Sequence, residues 1–465
     1  MYLKKLNIRN FRCFGNYEIE FAPRVTVLFG KNGSGKSTLI HALHKALSFM
    51  MHSEKIKEKD PKTKKWRVVG EQSLRGGNPY VGVEGYSKVG DENYKRTKRA
   101  DYLIEISAEA DLDEMTPLEW AMSVYYIDNR LRTSEYRDAF SQLYNWHKYT
   151  GLRPLLAYYS DGYPHYSNLK KSKKENSKET FLVNSFDESL GYTDWNTEMG
   201  CTNTWLVRLE TKLRAIQYSV SQLAETNNEN VRKVLWDEYK TAEKEVNYVI
   251  DILKQFSKDD SQYAINIIRN SPFDNLLEII ALDGKIHPFR KLPAGYKRMF
   301  YIALDIAYRC FFLTNGDRKD IGGIVIIDEI DLHLHPELEK IILRRFTETF
   351  PNLQFIISTH SPLVLTGLET EGKPNRILQM NAETNAPKPI LCPDVYGLDY
   401  NTGLEDIMGV DSKDNELDYM VSLCAYMRKR NKMAQANNIK QRIFSTYPKN
   451  VEELEKMIEK KMLEM

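Results

Sequence analysis

Nine residues, GKNGSGKST at positions 30–38, constrain this chain more than any other feature. They follow a buried-strand pattern, VTVLF at 25–29, and precede helical apolar spacing over 39–50. Strand, Gly-rich turn, helix is the setting in which G-x-x-x-x-G-K-[ST] binds phosphate. The small residues Gly30, Gly33, Ser34 and Gly35, with Asn32 between them, let successive backbone N–H groups converge on phosphate oxygens. The helix that starts near Lys36 adds the positive end of its dipole. Lys36 is expected to reach the β- and γ-phosphates, and the Ser37 hydroxyl, followed by Thr38, to ligate Mg²⁺. A chance Gly-rich turn would lack the flanking strand and helix. The motif therefore predicts a parallel α/β sheet with ATP at the carboxyl ends of its strands.

Two further runs belong on such a sheet. GIVIIDE at 323–329 places four branched apolar residues before two acids, as expected of a buried parallel strand that delivers carboxylates to the ligand end. Asp328 is the expected Mg²⁺ partner and Glu329 the expected general base for the attacking water. Acids often end strands because loops are polar; the complete phosphate loop upstream makes the catalytic reading the better one. QFIISTHS at 354–361 gives another strand, with His360 placed to contact a γ-phosphate. His333 and His335 do not read as a metal pair, because residues two apart do not share a helix face. Pro336 instead marks a helix start.

The rest of the chain yields fewer expectations. Strand patterns occupy 2–8, 17–21, 102–108, 153–159, 263–268 and 276–282, and helical patterns 299–312 and 337–349. The stretch 204–256 reads as two helices broken at the polar segment 226–230, a helical hairpin. Basic clusters at 52–67, 95–99 and 170–178 read as solvated surface, the last as a loop. The 66 Lys+Arg against 64 Asp+Glu exclude global charge as a sign of nucleic-acid binding, so any basic patch must be local. Five scattered cysteines lack zinc spacing, and no apolar run is long enough to span a bilayer. A cytoplasmic protein without membrane contact is expected.

These motifs, in this order, resemble ABC-type ATPases, and specifically the branch of RecF, SMC proteins and the overcoming-lysogenization-defect nucleases. The residues that carry the likeness are NFRCF at 10–14, GKNGSGKST, IVIIDEIDLHLHP at 324–336 and QFIISTHSP at 354–362. Shorter likenesses, DEIDLHLHP and the tail YGLDYNTGLEDIMGV at 396–410, are similar to stand-alone ATPases of bacterial defence systems. Those are the PtuA-like subunit of Septu and retron modules and the AriA-like subunit of PARIS.

The resemblance implies an ABC-type head: 1–165 an N-terminal lobe with the phosphate loop, 166–260 a helical insertion, 261–380 a second lobe, and 381–465 a small helical extension. It implies that two heads sandwich ATP, each lending a signature loop to its partner. LPAGY at 292–296 matches that loop, with Gly295 facing the opposite nucleotide, Asp331 as the acid crossing the interface and His360 as the switch histidine. Asn10 and Arg12 match positions near the nucleotide. Pro293 stands where the family usually has Ser, which removes a hydroxyl from the partner's site and implies slow hydrolysis. No glutamine occupies 158–162, where the family's Q-loop would fall. The expected function is an ATPase that acts as a sensor or switch and controls a separate nuclease effector in an anti-phage complex. A DNA repair or recombination ATPase that binds DNA directly is the alternative.

Overall fold

A computed structural model of the chain describes residues 1–59, 66–74, 103–113, 115–125, 130–131, 134–160, 186–193, 195, 202–274, 276–317, 321–381, 388–398, 415–446 and 451–464. The basic clusters at 95–99 and 170–178, Cys201, residues 161–162 and most of 396–410 lie outside them. The chain forms two compact units, Met1–Gly397 and Leu398–Met465.

The larger unit is mixed α/β. Its central sheet has the strand order Ile390–Leu391, Asn375–Gln379, Val25–Phe29, Leu353–Ser358, Gly323–Ile327, Leu155–Tyr159. All neighbours are parallel except the first pair. The three strands Val25–Phe29, Gly323–Ile327 and Leu353–Ser358 are buried along their whole length, which is why they read as mostly Val/Ile/Leu/Phe runs rather than alternations, with Thr26, Gln354 and Ser358 as buried polar exceptions. Parallel register aligns their carboxyl ends, so the phosphate loop and the segments after Ile327 and Ser358 emerge on one edge.

An antiparallel sheet lies in the same unit, in the order Phe14–Glu20, Tyr2–Phe11, Leu103–Asp111, Pro117–Tyr125, Arg130–Leu131. It is latched to the central sheet by the buried amide of Gln354. Its Oε1 accepts from Leu3 N–H (2.7 Å) and its Nε2 donates to the carbonyls of Leu3 and Ala22 (both 2.8 Å). The lysine- and glutamate-rich segment after His52 forms an antiparallel ribbon, Ser53–Lys59 with Trp66–Ser73.

The helical stretch forms two helices, Thr202–Glu225 and Glu229–Ser257, with Asn228 capping the second through Oδ1 to the N–H groups of Asn230 and Val231. Arg208 and Glu245 join them in a bidentate pair (2.5 and 2.7 Å) that is almost fully buried, the guanidinium lying 4.7 Å from the ring centre of Phe312. The following three-stranded sheet, Ile265–Asn270, Leu277–Ala281 and Ile286–Pro288, leads into the long helix Ala294–Thr314. Buried Arg298, Asp305 and Arg309 stand seven and four residues apart on one face of that helix. Asp305 accepts from Tyr159 Oη (2.7 Å), Trp205 Nε1 (2.5 Å) and Arg309 Nε (2.6 Å), which ties the hairpin and the central sheet to this helix.

The single helix expected over 337–349 is two, Pro336–Glu339 and Ile342–Thr349. The smaller unit contains the helices Asn415–Lys429, Met433–Thr446 and Val451–Glu464, around a core that includes Val421, Cys424, Ala436, Ile443 and Ile458.

Candidate functional site: a phosphate loop facing three carboxylates

The phosphate loop begins where Val25–Phe29 ends. Gly30, Gly33 and Gly35 have φ of 150°, 82° and 96°, a backbone that side chains resist. At Gly30 space is also limiting: a Cβ would lie 2.8 Å from Ser34 Oγ and 2.9 Å from the Met380 carbonyl. The helix Lys36–Leu47 starts at Gly35 without a side-chain cap and with no acid in its first turn. Its first N–H groups therefore carry the partial positive charge that favours an anion. The buried Ser34 hydroxyl makes no hydrogen bond within the protein. Asn32, Gly33 and Ser37 are exposed, and Thr38 is half-buried. These features fit a polyphosphate: a cradle of small residues, an uncapped helix start and a spare hydroxyl.

Lys36 is buried and donates from Nζ to the carbonyls of Gly30 (2.7 Å) and Lys31 (3.1 Å). Burial lowers its pKa, while Asp328, Glu329 and Asp331 pull it back up. Those three acids follow the strand Gly323–Ile327, so the structure brings Lys36 and all three into electrostatic reach of one another.

The acids are held differently. Asp328 is buried; its N–H donates to the Tyr159 carbonyl (2.8 Å) and its Oδ1 accepts from Ser358 Oγ. Glu329 takes a left-handed backbone (φ 48°) and donates its N–H to Ser358 Oγ (2.8 Å). Its carboxylate stays partly open, with Oε1 3.9 Å from His360 Nε2, each side chain 36% exposed. Asp331 Oδ1 accepts from Thr359 Oγ1 (2.5 Å) and from His360 N–H (3.2 Å). The adjacent strand Leu353–Ser358 and its extension thus supply partners to all three acids, and Thr359 N–H donates to the Leu28 carbonyl of the phosphate-loop strand (3.0 Å).

Gly295 sits in the first turn of Ala294–Thr314, packed on the turn after Asp331, where a Cβ would stand 2.4 Å from the His333 carbonyl oxygen. Pro293 precedes the helix, and its carbonyl accepts from Lys297 N–H (2.8 Å). Asn10 and Arg12, both left-handed (φ 56° and 50°), lie at the tip of the hairpin Tyr2–Phe11/Phe14–Glu20. That tip meets the phosphate-loop helix through Phe11, whose ring centre lies 5.6 Å from Lys45 Nζ. His335 caps Pro336–Glu339 by accepting from Glu337 N–H.

Two residues of the site went unread in the sequence. Ser358 bridges Asp328 and Glu329, and Arg298 donates to the carbonyls of Asp328 (2.8 Å), Glu329 (3.2 Å) and Ser160 (3.3 Å). A signal for Arg298 was present: with Asp305 and Arg309 it forms a polar stripe within an otherwise apolar helix.

A parallel sheet carrying this loop and these carboxylates on one edge defines a P-loop ATPase. The chain belongs to the AAA ATPase domain family, whose model matches residues 1–365. It is similar to a Vibrio cholerae protein named retron Vc95 probable ATPase, 26% identical over 401 residues, which span 79% of this chain and 72% of that one. A shorter match, 45% identical over 78 residues, is to the Septu protein PtuA of Bacillus mycoides and spans 17% of this chain and 11% of that protein. Among solved structures, the SMC head domain from Thermotoga maritima superimposes with a TM-score of 0.37 at 13% identity, over 84% of this chain and 99% of that one. The resemblance to retron and Septu ATPases expected from the motifs is met by these relatives. Among the described residues no helix is long and apolar enough to cross a membrane.

Proposed function

We propose that the chain binds and slowly hydrolyses ATP, and that its ATP-bound heads pair and control a separate nuclease effector in an anti-phage complex. The observation that carries the ATPase reading is the convergence of Lys36, Asp328, Glu329 and Asp331 at one edge of the sheet. Lys36 exchanges its bonds to the loop carbonyls for phosphate oxygens, which recover the charge-assisted contacts a buried ammonium needs. The backbone of Gly30 to Thr38 cradles the phosphates. Ser37 and Asp328 hold Mg²⁺, which supplies charge neutralisation on those oxygens.

Glu329, the least enclosed of the two consecutive acids, takes the proton of the attacking water, and His360 beside it faces the terminal phosphate. Gly295 and Asp331 face a second copy. Pro293 brings no hydroxyl to that contact, which favours a long-lived closed state over rapid turnover. The defence role rests on the likeness to the retron and Septu proteins, and the helical hairpin Thr202–Glu225/Glu229–Ser257 is the segment assigned to partner contact.

Light scattering of Glu329→Gln with ATP and Mg²⁺, alongside turnover of the wild type and of the variant, tests this reading. It predicts an ATP-dependent rise in mass for the variant and slow, Mg²⁺-dependent phosphate release for the wild type. Unchanged mass and equal, near-zero rates overturn it.

A further inference from the structure

Glu329 is a non-glycine residue in the left-handed region, and it lacks the short polar side chain with which Asn and Asp ease that conformation. Such a backbone persists only where its surroundings over-determine it. Both peptide groups of Glu329 are pinned. On the amino side its N–H donates to Ser358 Oγ (2.8 Å). On the carboxyl side its carbonyl accepts from Arg298 Nη2 (3.2 Å), which also holds the Asp328 carbonyl (2.8 Å). The same Ser358 hydroxyl donates to Asp328 Oδ1, so one serine serves both acids.

We propose that Arg298, together with Ser358, is a positioning residue that locks the backbone of Glu329 and so aims its carboxylate. Arg298 is 2% exposed and donates to the carbonyls of Ser160, Asp328 and Glu329, so it bears on Glu329 through the backbone. Its place in the chain adds a consequence. Arg298 lies in the opening turns of the helix that Pro293 begins, five residues on, and Gly295 in the first turn already packs against the His333 carbonyl. The signature segment and the loop carrying the base therefore bear on each other at two points. A pull on 292–296, such as a second head would exert, is transmitted through Arg298 to the peptide that sets the direction of Glu329. Ser160, the third carbonyl held by Arg298, brings the end of Leu155–Tyr159 into the same clamp.

This inference rests on Glu329 being the base, and two readouts keep the two claims apart. In steady-state ATPase assays, Arg298→Gln and Ser358→Ala lower kcat roughly 10- to 100-fold with little change in nucleotide affinity, Arg298→Lys recovers part of the loss, and Arg298→Gln adds nothing in a Glu329→Gln background. Additive losses in that background, or a loss of affinity in place of kcat, overturn the clamp. Hydrogen–deuterium exchange of the same purified proteins needs no turnover. Arg298→Gln speeds exchange at the 328–330 amides while 323–327 stay protected, and unchanged exchange at 328–330 overturns the proposal. If the wild type turns over no faster than Glu329→Gln, the assignment of the base fails and the exchange result alone decides the clamp. If Arg298→Gln does not fold, Ser358→Ala probes the other end by both measurements.

Discussion

Gly295→Ala separates two reasons for a glycine in the signature segment. If the residue matters only across an interface between copies, a methyl group leaves the single chain unaffected. The structure gives a reason within one chain: the new Cβ stands 2.4 Å from the His333 carbonyl oxygen, 3.2 Å from its carbon and 3.3 Å from Leu334 Cα. All three are backbone atoms, so no side chain can rotate away, and the turn must retreat by about 1 Å to reach ordinary contact. Overpacking of this kind costs about 1–3 kcal/mol. Replacing glycine in a helix returns about 0.5–1 kcal/mol. With the close contact to three backbone atoms at the upper part of that cost, the net loss is about 1–2.5 kcal/mol. It is read as a lower urea midpoint, at unchanged slope and independent of protein concentration in the absence of nucleotide, with faster amide exchange at 331–335. A midpoint equal to or above wild type, with unaltered exchange, refutes the packing argument.

Burial holds the His44 pKa down to about 4, and its Nε2 is shielded without a partner, so the folded state keeps the ring neutral. The unfolded chain binds that proton first. Stability is therefore full above about pH 6.5 and falls as pH drops from there toward 4, by about 3 kcal/mol in all. Urea midpoints across that range show the slope for wild type, and His44→Phe flattens it. Arg208→Ala leaves the Glu245 carboxylate buried and unpaired and costs about 3–5 kcal/mol, whereas Arg208→Met with Glu245→Leu loses far less. Equal losses in urea unfolding of the single and double variants contradict this. Gln354→Leu orphans Leu3 N–H and two carbonyls, costs about 2–4 kcal/mol, and exposes the Tyr2–Phe11 strand to limited proteolysis.

The most legible parts of the sequence were those where one physical demand acts alone. Val25–Phe29 and Gly323–Ile327 are buried on both faces and almost wholly apolar, and both match their sequence bounds to the residue. The hairpin break at 226–230 announced itself through a polar run centred on the cap Asn228. Other features arise only from tertiary contact. The ribbon Ser53–Lys59/Trp66–Ser73 is dense in charge, and its lysines and glutamates gave no strand period. Ser134–Thr150 is different, since its helical signal is present in the sequence: Tyr136, Ala139, Phe140 and Leu143 recur at three- and four-residue steps and are buried. The continuous pattern over 337–349 concealed a break, since apolar spacing persists through Lys340 and Ile341 where the backbone does not. In the site, residue types announced Lys36, Asp328 and Glu329. Ser358 gave no signal because it acts on the Glu329 N–H and the Asp328 carboxylate from 29 and 30 residues away, and Arg298, marked only by its polar stripe, acts on backbone carbonyls 30 and 31 residues away.

The most direct test of the account is equilibrium binding of ATP with Mg²⁺ to the wild type and to Lys36→Ala, by calorimetry or a fluorescent analogue. Saturable, Mg²⁺-strengthened binding of one nucleotide per chain, abolished in Lys36→Ala while its urea midpoint is retained, is the result the account predicts. Absence of binding to the wild type, or equal binding by the folded variant, contradicts it.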